Sequence, residues 1–268
     1  MATPTEWLNE FQVNTGTAQN GTQSDPKIIG LANGNFLVAW TEAANGAIGA
    51  SPGADIVGQL YDPEGAAIGN PFQINATSTN DDESDFDIAA TNDGGFILVY
   101  VDESLANANS TRIRWERFND SGIQTHTALI DSENAASESL SNPQVAVNLT
   151  DNTSVVAYTD MVGSDPDLIG RSVSPTGMLM ANYPIGFHGD NFEIDGDLAI
   201  LDNGDYVYVL EDHIDDRTDI VVDVGSAEAG VGGTVRIFEN GRDPQVTSLT
   251  NGNFVVTWED LTSCAWRK

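Results

Sequence analysis

The stretch Leu31-Ala-Asn-Gly-Asn-Phe-Leu-Val-Ala-Trp40 decides the fold, because it recurs along the chain. Further copies are Thr91-Asn-Asp-Gly-Gly-Phe-Ile-Leu-Val-Tyr100, Leu149-Thr-Asp-Asn-Thr-Ser-Val-Val-Ala-Tyr158, Leu201-Asp-Asn-Gly-Asp-Tyr-Val-Tyr-Val-Leu210 and Leu249-Thr-Asn-Gly-Asn-Phe-Val-Val-Thr-Trp258. With Phe36 as marker the equivalents are Phe96, Ser154, Tyr206 and Phe254, spaced by 60, 58, 52 and 48 residues. A fixed period of this size marks tandem supersecondary units that bury their apolar faces on one another.

Each copy reads as a hairpin. Asn-Gly or a near relative supplies the positive φ angles of a tight turn. The run after the turn is β-branched and aromatic and apolar on both faces, which predicts a fully covered strand. A shorter strand such as Lys27–Leu31 precedes it, and a third strand follows, clearest within Asp55–Gly65 and Asp167–Gly177. A fourth is clearest at Pro71-Phe-Gln-Ile-Asn75. Four short antiparallel strands per repeat predict an all-β fold, a five-bladed β-propeller of four-stranded antiparallel blades. The first strand, Glu10-Phe-Gln-Val-Asn14, matches the fourth strand Pro71–Asn75, and the last copy supplies two clear strands, with Ser263–Arg267 as a possible third. The N-terminal strand is therefore expected to close the ring. This gives one domain over 1–268, with blades at approximately 16–75, 76–131, 132–184, 185–239, and 240–268 plus 6–15. The alternative is a piece cut from a longer array.

The acids fall in rows. Asp25, Asp85, Asn142, Asp195 and Asp243 precede the first strand of each copy, and Glu42, Asp102, Asp160, Asp212 and Asp260 follow the second. Asp55, Asp167 and Asp219 open the third strand, where the second copy has Arg112. Topology puts these positions on one face of the disc, the first row at the mouth of the central channel. Loops dense in Asp and Asn supply the oxygen ligands that hard cations take, so calcium is the expected cofactor and these thirteen residues its candidate ligands. Turn capping by the same side chains is the competing explanation.

Bulk composition narrows the partners. The 268 residues carry 41 acidic and 10 basic side chains, a formal charge of −31. Nucleic acid and anionic lipid are repelled by such a surface, whereas a glycan or an extracellular or cell-surface protein is not. No stretch reaches the roughly 20 apolar residues that span a bilayer. The N-terminus lacks the basic and apolar regions of a signal peptide, and the one cysteine, Cys264, has no partner for an internal disulfide. His126, His188 and His213 lie in different units without metal-ligand spacing. Nucleophile elbows, His-Glu-x-x-His and phosphate loops are missing. Trp40, Tyr100, Tyr158 and Trp258 recur at one position, as packing between blades requires. An enzyme would need one asymmetric carboxylate pair, and Asp81-Asp82-Glu83 and His188–Asp195 are the segments that break the repeat.

The pattern Asn-Gly-x-Phe-x-Val-x-Trp, followed by Asp-Ile-x-Gly-Gln-x-Tyr-Asp and Phe-Gln-Ile-Asn, resembles repeat modules of large type I secreted bacterial proteins of the RTX calcium-binding class. Residues 28–75 and 249–258 carry it best. The resemblance implies an extracellular, non-catalytic setting without a cleaved leader. The Gly-Gly-x-Gly-x-Asp nonapeptide of that class is absent, so its calcium ligands transfer to no residue here. The expectation is a monomeric extracellular binding or adhesion module that holds calcium on an acidic face and leans away from being an enzyme. A glycoside hydrolase-like, carbohydrate-active enzyme with a carboxylate pair on that face is the alternative.

Overall fold

The computed structural model describes residues 10–14, 22–43, 48, 53–75, 82–103, 111–133, 138–162, 165–186, 192–214, 217–227 and 232–261. Every regular element among them is a strand. The first sheet runs β1 (Gln23–Gly30), β2 (Phe36–Glu42), β3 (Asp55–Tyr61) and β4 (Ala67–Gln73) in sequence order, each antiparallel to the last. The second repeats this with β5 (Asp82–Ala90), β6 (Phe96–Glu103), β7 (Thr111–Phe118) and β8 (Gln124–Glu133). The third holds β9 (Glu138–Val147), β10 (Ser154–Val162), β11 (Asp165–Val173) and β12 (Leu179–Ile185). β13 (Phe192–Ile200), β14 (Asp205–Ile214), β15 (Arg217–Ser226) and β16 (Gly232–Glu239) make the fourth; the fifth has β17 (Gly241–Ser248) and β18 (Phe254–Asp260).

The repeated hairpin forms as expected, with one difference in its turn. Leu31 N–H donates to Asn35 O at 2.8 Å and Gly34 N–H to Leu31 O at 3.0 Å, so the loop has three residues. The glycine alone is left-handed, at φ 89°, while Asn33 Oδ1 accepts Asn35 N–H at 3.0 Å. This is the type I turn plus left-handed residue that three-residue hairpins favour. The third copy lacks the glycine, and Asn152, at φ 62°, takes its place in a longer loop.

Sheets stack through four apolar seams. Leu37, Ala39 and Ile56 of the first sheet meet Ile88, Leu98 and Tyr100 of the second. Trp115 and Ile97 of the second meet Val145 and Tyr158 of the third. Val155 and Tyr183 meet Leu198 and Tyr208, and Val207 and Val222 meet Val246 and Trp258. Tyr100, Tyr158 and Trp258 therefore pack between sheets, whereas Trp40 packs on Val57 of its own sheet and on Val13.

The expected closing strand does not form. Glu10–Asn14 carry no strand and, among the described residues, pair with no part of the fifth sheet. The segment lies on the first sheet instead: Val13 packs against Trp40 and Val57, Tyr61 Oη donates to Val13 O at 3.2 Å, and the Phe11 and Tyr61 rings are 5.4 Å apart. The proposed third strand Ser263–Arg267 lies outside the described residues.

Candidate functional site

The first acidic row sits on a repeated break in the innermost strands. Asp25, Asp85, Asn142 and Asp243 have φ of 51°, 35°, 54° and 49°, and strand register shifts beside each of them and beside Asp195. Asp and Asn tolerate this left-handed conformation better than other non-glycine residues, so a bulge explains the row. These four side chains are exposed; that of Asp195 lies outside the described residues.

The other two rows point inward rather than forming an open cup. Glu42, Asp102, Asp212 and Asp260 are buried, as are Asp55 and Asp219, whereas Asp160 is half-buried and Asp167 exposed. Register places Glu42 opposite Asp55, Asp102 opposite Arg112, Asp160 opposite Asp167 and Asp212 opposite Asp219. Arginines of the same sheet neutralise several of them. Asp102 pairs with Arg114 and, at 3.5 Å, with Arg112. Arg236 reaches Asp219 at 2.8 Å and Asp212 at 3.4 Å, and Arg217 reaches Asp219 at 3.2 Å. Burial pushes the Asp212 carboxyl up and Arg236 draws it down. Asp55 accepts from Gln73 at 2.6 Å and Asn75 at 3.2 Å, and Asn75 also donates to Glu83 at 2.6 Å. The Phe-Gln-Ile-Asn motif thus ties one sheet to the next. Asp82 Oδ1 accepts Ala54 N–H at 2.8 Å, so Asp82-Glu83 is structural. Among the described residues no three His, Cys, Asp or Glu side chains assemble to hold a metal ion. Arginines and amides of the same sheet thus engage Asp55, Asp102, Asp212 and Asp219, four of the thirteen residues expected to bind calcium.

A fourth row, missed in the sequence, lies two residues beyond each bulge: Lys27, Asp87, Gln144, Asp197 and Gln245. It links successive sheets along the innermost strands. Lys27 Nζ donates to Asp87 Oδ1 at 3.0 Å, and Asp87 Oδ2 accepts Val145 N–H at 2.9 Å. Gln144 donates its side-chain amide to Gly196 O, and Asp197 Oδ2 accepts Val246 N–H at 2.8 Å. The period was visible, but the residue type alternates between cation, acid and amide, so a search for repeated acids passes over it.

Asp197 is the unusual member. Burial pushes its carboxyl above the ordinary carboxylate range; amide bonds from Val246 and Leu198 pull it down, the charge of Asp87 raises it and that of Lys27 lowers it. Charges on the first and second sheets thus act on a carboxyl of the fourth. Beside Asp197 opens a cavity of about 410 Å³. Leu198 and Val246, whose amides hold Asp197, line it together with Asn148, Thr150, Asp202 and Thr247. A carboxyl with a raised pKa beside a cavity that offers hydroxyl and amide groups can bind a polyol and move a proton.

No protein-family model matches the chain, and no curated protein matches its sequence. Solved structures do match its fold. An α-L-arabinanase of Penicillium chrysogenum complexed with arabinobiose superposes with a TM-score of 0.62 at 12% identity, over 90% of this chain and 76% of that one. A GH93 α-L-arabinofuranosidase of Fusarium graminearum, also with arabinobiose, gives 0.59 at 12% identity over 86% and 73%. The Hadza microbial sialidase Hz136 gives 0.55 at 12% identity over 78% of this chain; the chain spans half the length of that protein. Likeness at this identity fixes the fold: all-β, built of four-stranded antiparallel sheets as in these propeller-type hydrolases. The lean towards a non-catalytic calcium-binding adhesion module, and away from an enzyme, is overturned by these neighbours, which favour the carbohydrate-active alternative.

Proposed function

We propose that the chain is a carbohydrate-active enzyme of the glycoside hydrolase class, a five-bladed propeller that binds glycan in the cavity on its central axis. Asp197 serves as general acid and Asp87 as its carboxylate partner. The observation that carries this reading is the raised Asp197 carboxyl, which senses the Asp87 charge and adjoins the cavity. Glycosidic cleavage needs such a pair, one carboxyl protonated and one ionised. Lys27, bonded to Asp87, orients it.

The charge distribution supports an uncharged glycan. Among the described residues Lys27, Arg112, Arg114, Arg117, Arg217, Arg236 and Arg242 each form an ion pair within the protein, and Arg171 engages the Tyr158 hydroxyl. A sugar carboxylate or sulfate would meet no uncommitted cation among them, against a net charge of −31. The resemblance to secreted repeat modules supports action outside the cell, where polymeric glycans are met.

Reducing-sugar release from a panel of polysaccharides tests the proposal. Product from neutral polymers is expected, with Asp197→Asn and Asp87→Asn each lowering the rate ~10²–10⁴-fold while melting normally. Failure to release product from any polymer sinks the reading.

A further inference from the structure

One seam differs from the other four. The repeat position of Ile28 is held by Ile88, Val145, Leu198 and Val246, which are 5%, 6%, 9% and 8% exposed, yet Ile28 itself is 66% exposed. The opposite face repeats the contrast: Leu37, Ile97, Val155 and Val207 are all 0% exposed, whereas their equivalent Val255 is 38% exposed. The inner part of the seam between the first and fifth sheets is thus uncovered, at Ile28 on one side and Val255 on the other. The polar links fail at the same place, since the Gln245 side chain donates to Pro244 O in its own strand at 2.9 Å instead of to a neighbouring sheet.

The two open faces are complementary by repetition. In every filled seam the Leu37-type residue of one sheet shares a cluster with the Ile28-type residue of the next: Leu37 with Ile88, Ile97 with Val145, Val155 with Leu198, Val207 with Val246. Val255 and Ile28 are the unused halves of that same contact. They do not meet within one chain, and four seams with fully buried residues hold the first and fifth sheets where they are. We propose that they meet between chains: the Val255 face of one copy docks on the Ile28 face of a second, head to tail. Shape favours the inner half of the face. Val13 already covers the outer half, at Trp40 and Val57, while the described strands of the fifth sheet, β17 and β18, are the two innermost of the repeat. Such a contact is heterologous and continues from copy to copy unless its rotation closes a ring. Each copy carries a charge of −31, so salt, by screening their repulsion, strengthens the assembly.

Sedimentation velocity over a concentration series, at low and high salt, tests this. The native chain is expected to form dimers and larger species that grow with concentration and salt. Ile28→Lys and Val255→Lys are each expected to weaken association at least ~10-fold. An equimolar mixture of the two is expected to stop at a dimer, because each retains the face the other lacks. Both side chains are exposed, and melting curves check that the variants fold; Ile28→Thr and Val255→Thr form a milder pair. A native chain that stays monomeric at every concentration overturns the proposal, as do lysine variants that assemble like the native chain, or a mixture that fails to pair.

Discussion

Lys27 Nζ lies 3.0 Å from Asp87 Oδ1, joining the innermost strands of the first two sheets across one full repeat. Burial and the amide bonds from Val246 and Leu198 act most on the Asp197 carboxyl, and the pair adds to them from a distance, the aspartate raising its pKa and the lysine lowering it. Folding raises that pKa, so the native state keeps the proton to higher pH than the unfolded chain does. The stability it contributes is full below the ordinary carboxylate value and is lost as pH rises through the raised one. Lys27→Gln is expected to move the Asp197 titration further up, and Asp87→Asn to move it down, read by carboxyl carbon NMR. The alkaline limb of the activity profile should move up with Lys27→Gln. A downward shift in that variant contradicts this coupling.

The commitment of the basic side chains to internal ion pairs sets a selectivity. Affinity electrophoresis should show retention by neutral polysaccharides and little by uronate or sulfated ones, with the contrast widest at low salt, where repulsion is least screened. Equal retention by an anionic polymer at low salt argues against an uncharged substrate.

The repeat was legible because hairpin turns and covered strands are local: the spacing of Phe36, Phe96, Ser154, Tyr206 and Phe254 places β2, β6, β10, β14 and β18. The bulge acids were legible as a row but not as a bulge, since Asp25-Pro26 reads equally as a turn cap. What the Asp102 and Asp219 carboxylates do depends on Arg114 and Arg236, which lie on neighbouring strands at no fixed repeat position. The open seam was not legible. Ile28 and Val255 look like their buried equivalents in sequence, and only the placement of the first and fifth sheets separates them.

Asp223 shows how a buried carboxylate is held by neutral donors. It is 4% exposed and accepts Tyr206 Oη at 2.8 Å, Thr234 Oγ1 at 2.5 Å and Gly186 N–H at 3.4 Å. Tyr206→Phe keeps the ring stacked on Tyr183 but removes the shortest bond to one oxygen. The expected loss is ~1–3 kcal/mol, or about 2–4 °C of melting temperature per kcal/mol at this chain size. Asp223→Asn in the Tyr206→Phe background should cost less than in the native chain, because the two share one bond. Additive losses would show that the tyrosine hydroxyl is not what steadies Asp223.

Gly58 and Gly170 occupy the same place in the third strand of their repeats, and the cost of a methyl group separates them. A Cβ on Gly170 would stand 2.3 Å from Cε2 and 2.8 Å from Cδ2 of Tyr183. That ring is 3% exposed and stacks on Tyr206 at 5.1 Å, so it cannot retreat without disturbing the Asp223 bonds. On Gly58 the nearest atoms are Cγ2 of Ile74 and Cδ1 of Leu37, both at 3.1 Å, so a shift of a few tenths of an ångström makes room. Neither glycine has a positive φ, so alanine also stabilises by ~0.4–1 kcal/mol through the unfolded chain. Against that gain, Gly58→Ala is expected to be near neutral, while overpacking makes Gly170→Ala cost about 1–3 kcal/mol. Thermal unfolding of the two variants side by side gives the difference. An equal effect would mean that the Tyr183 ring is free to swing away from the third strand.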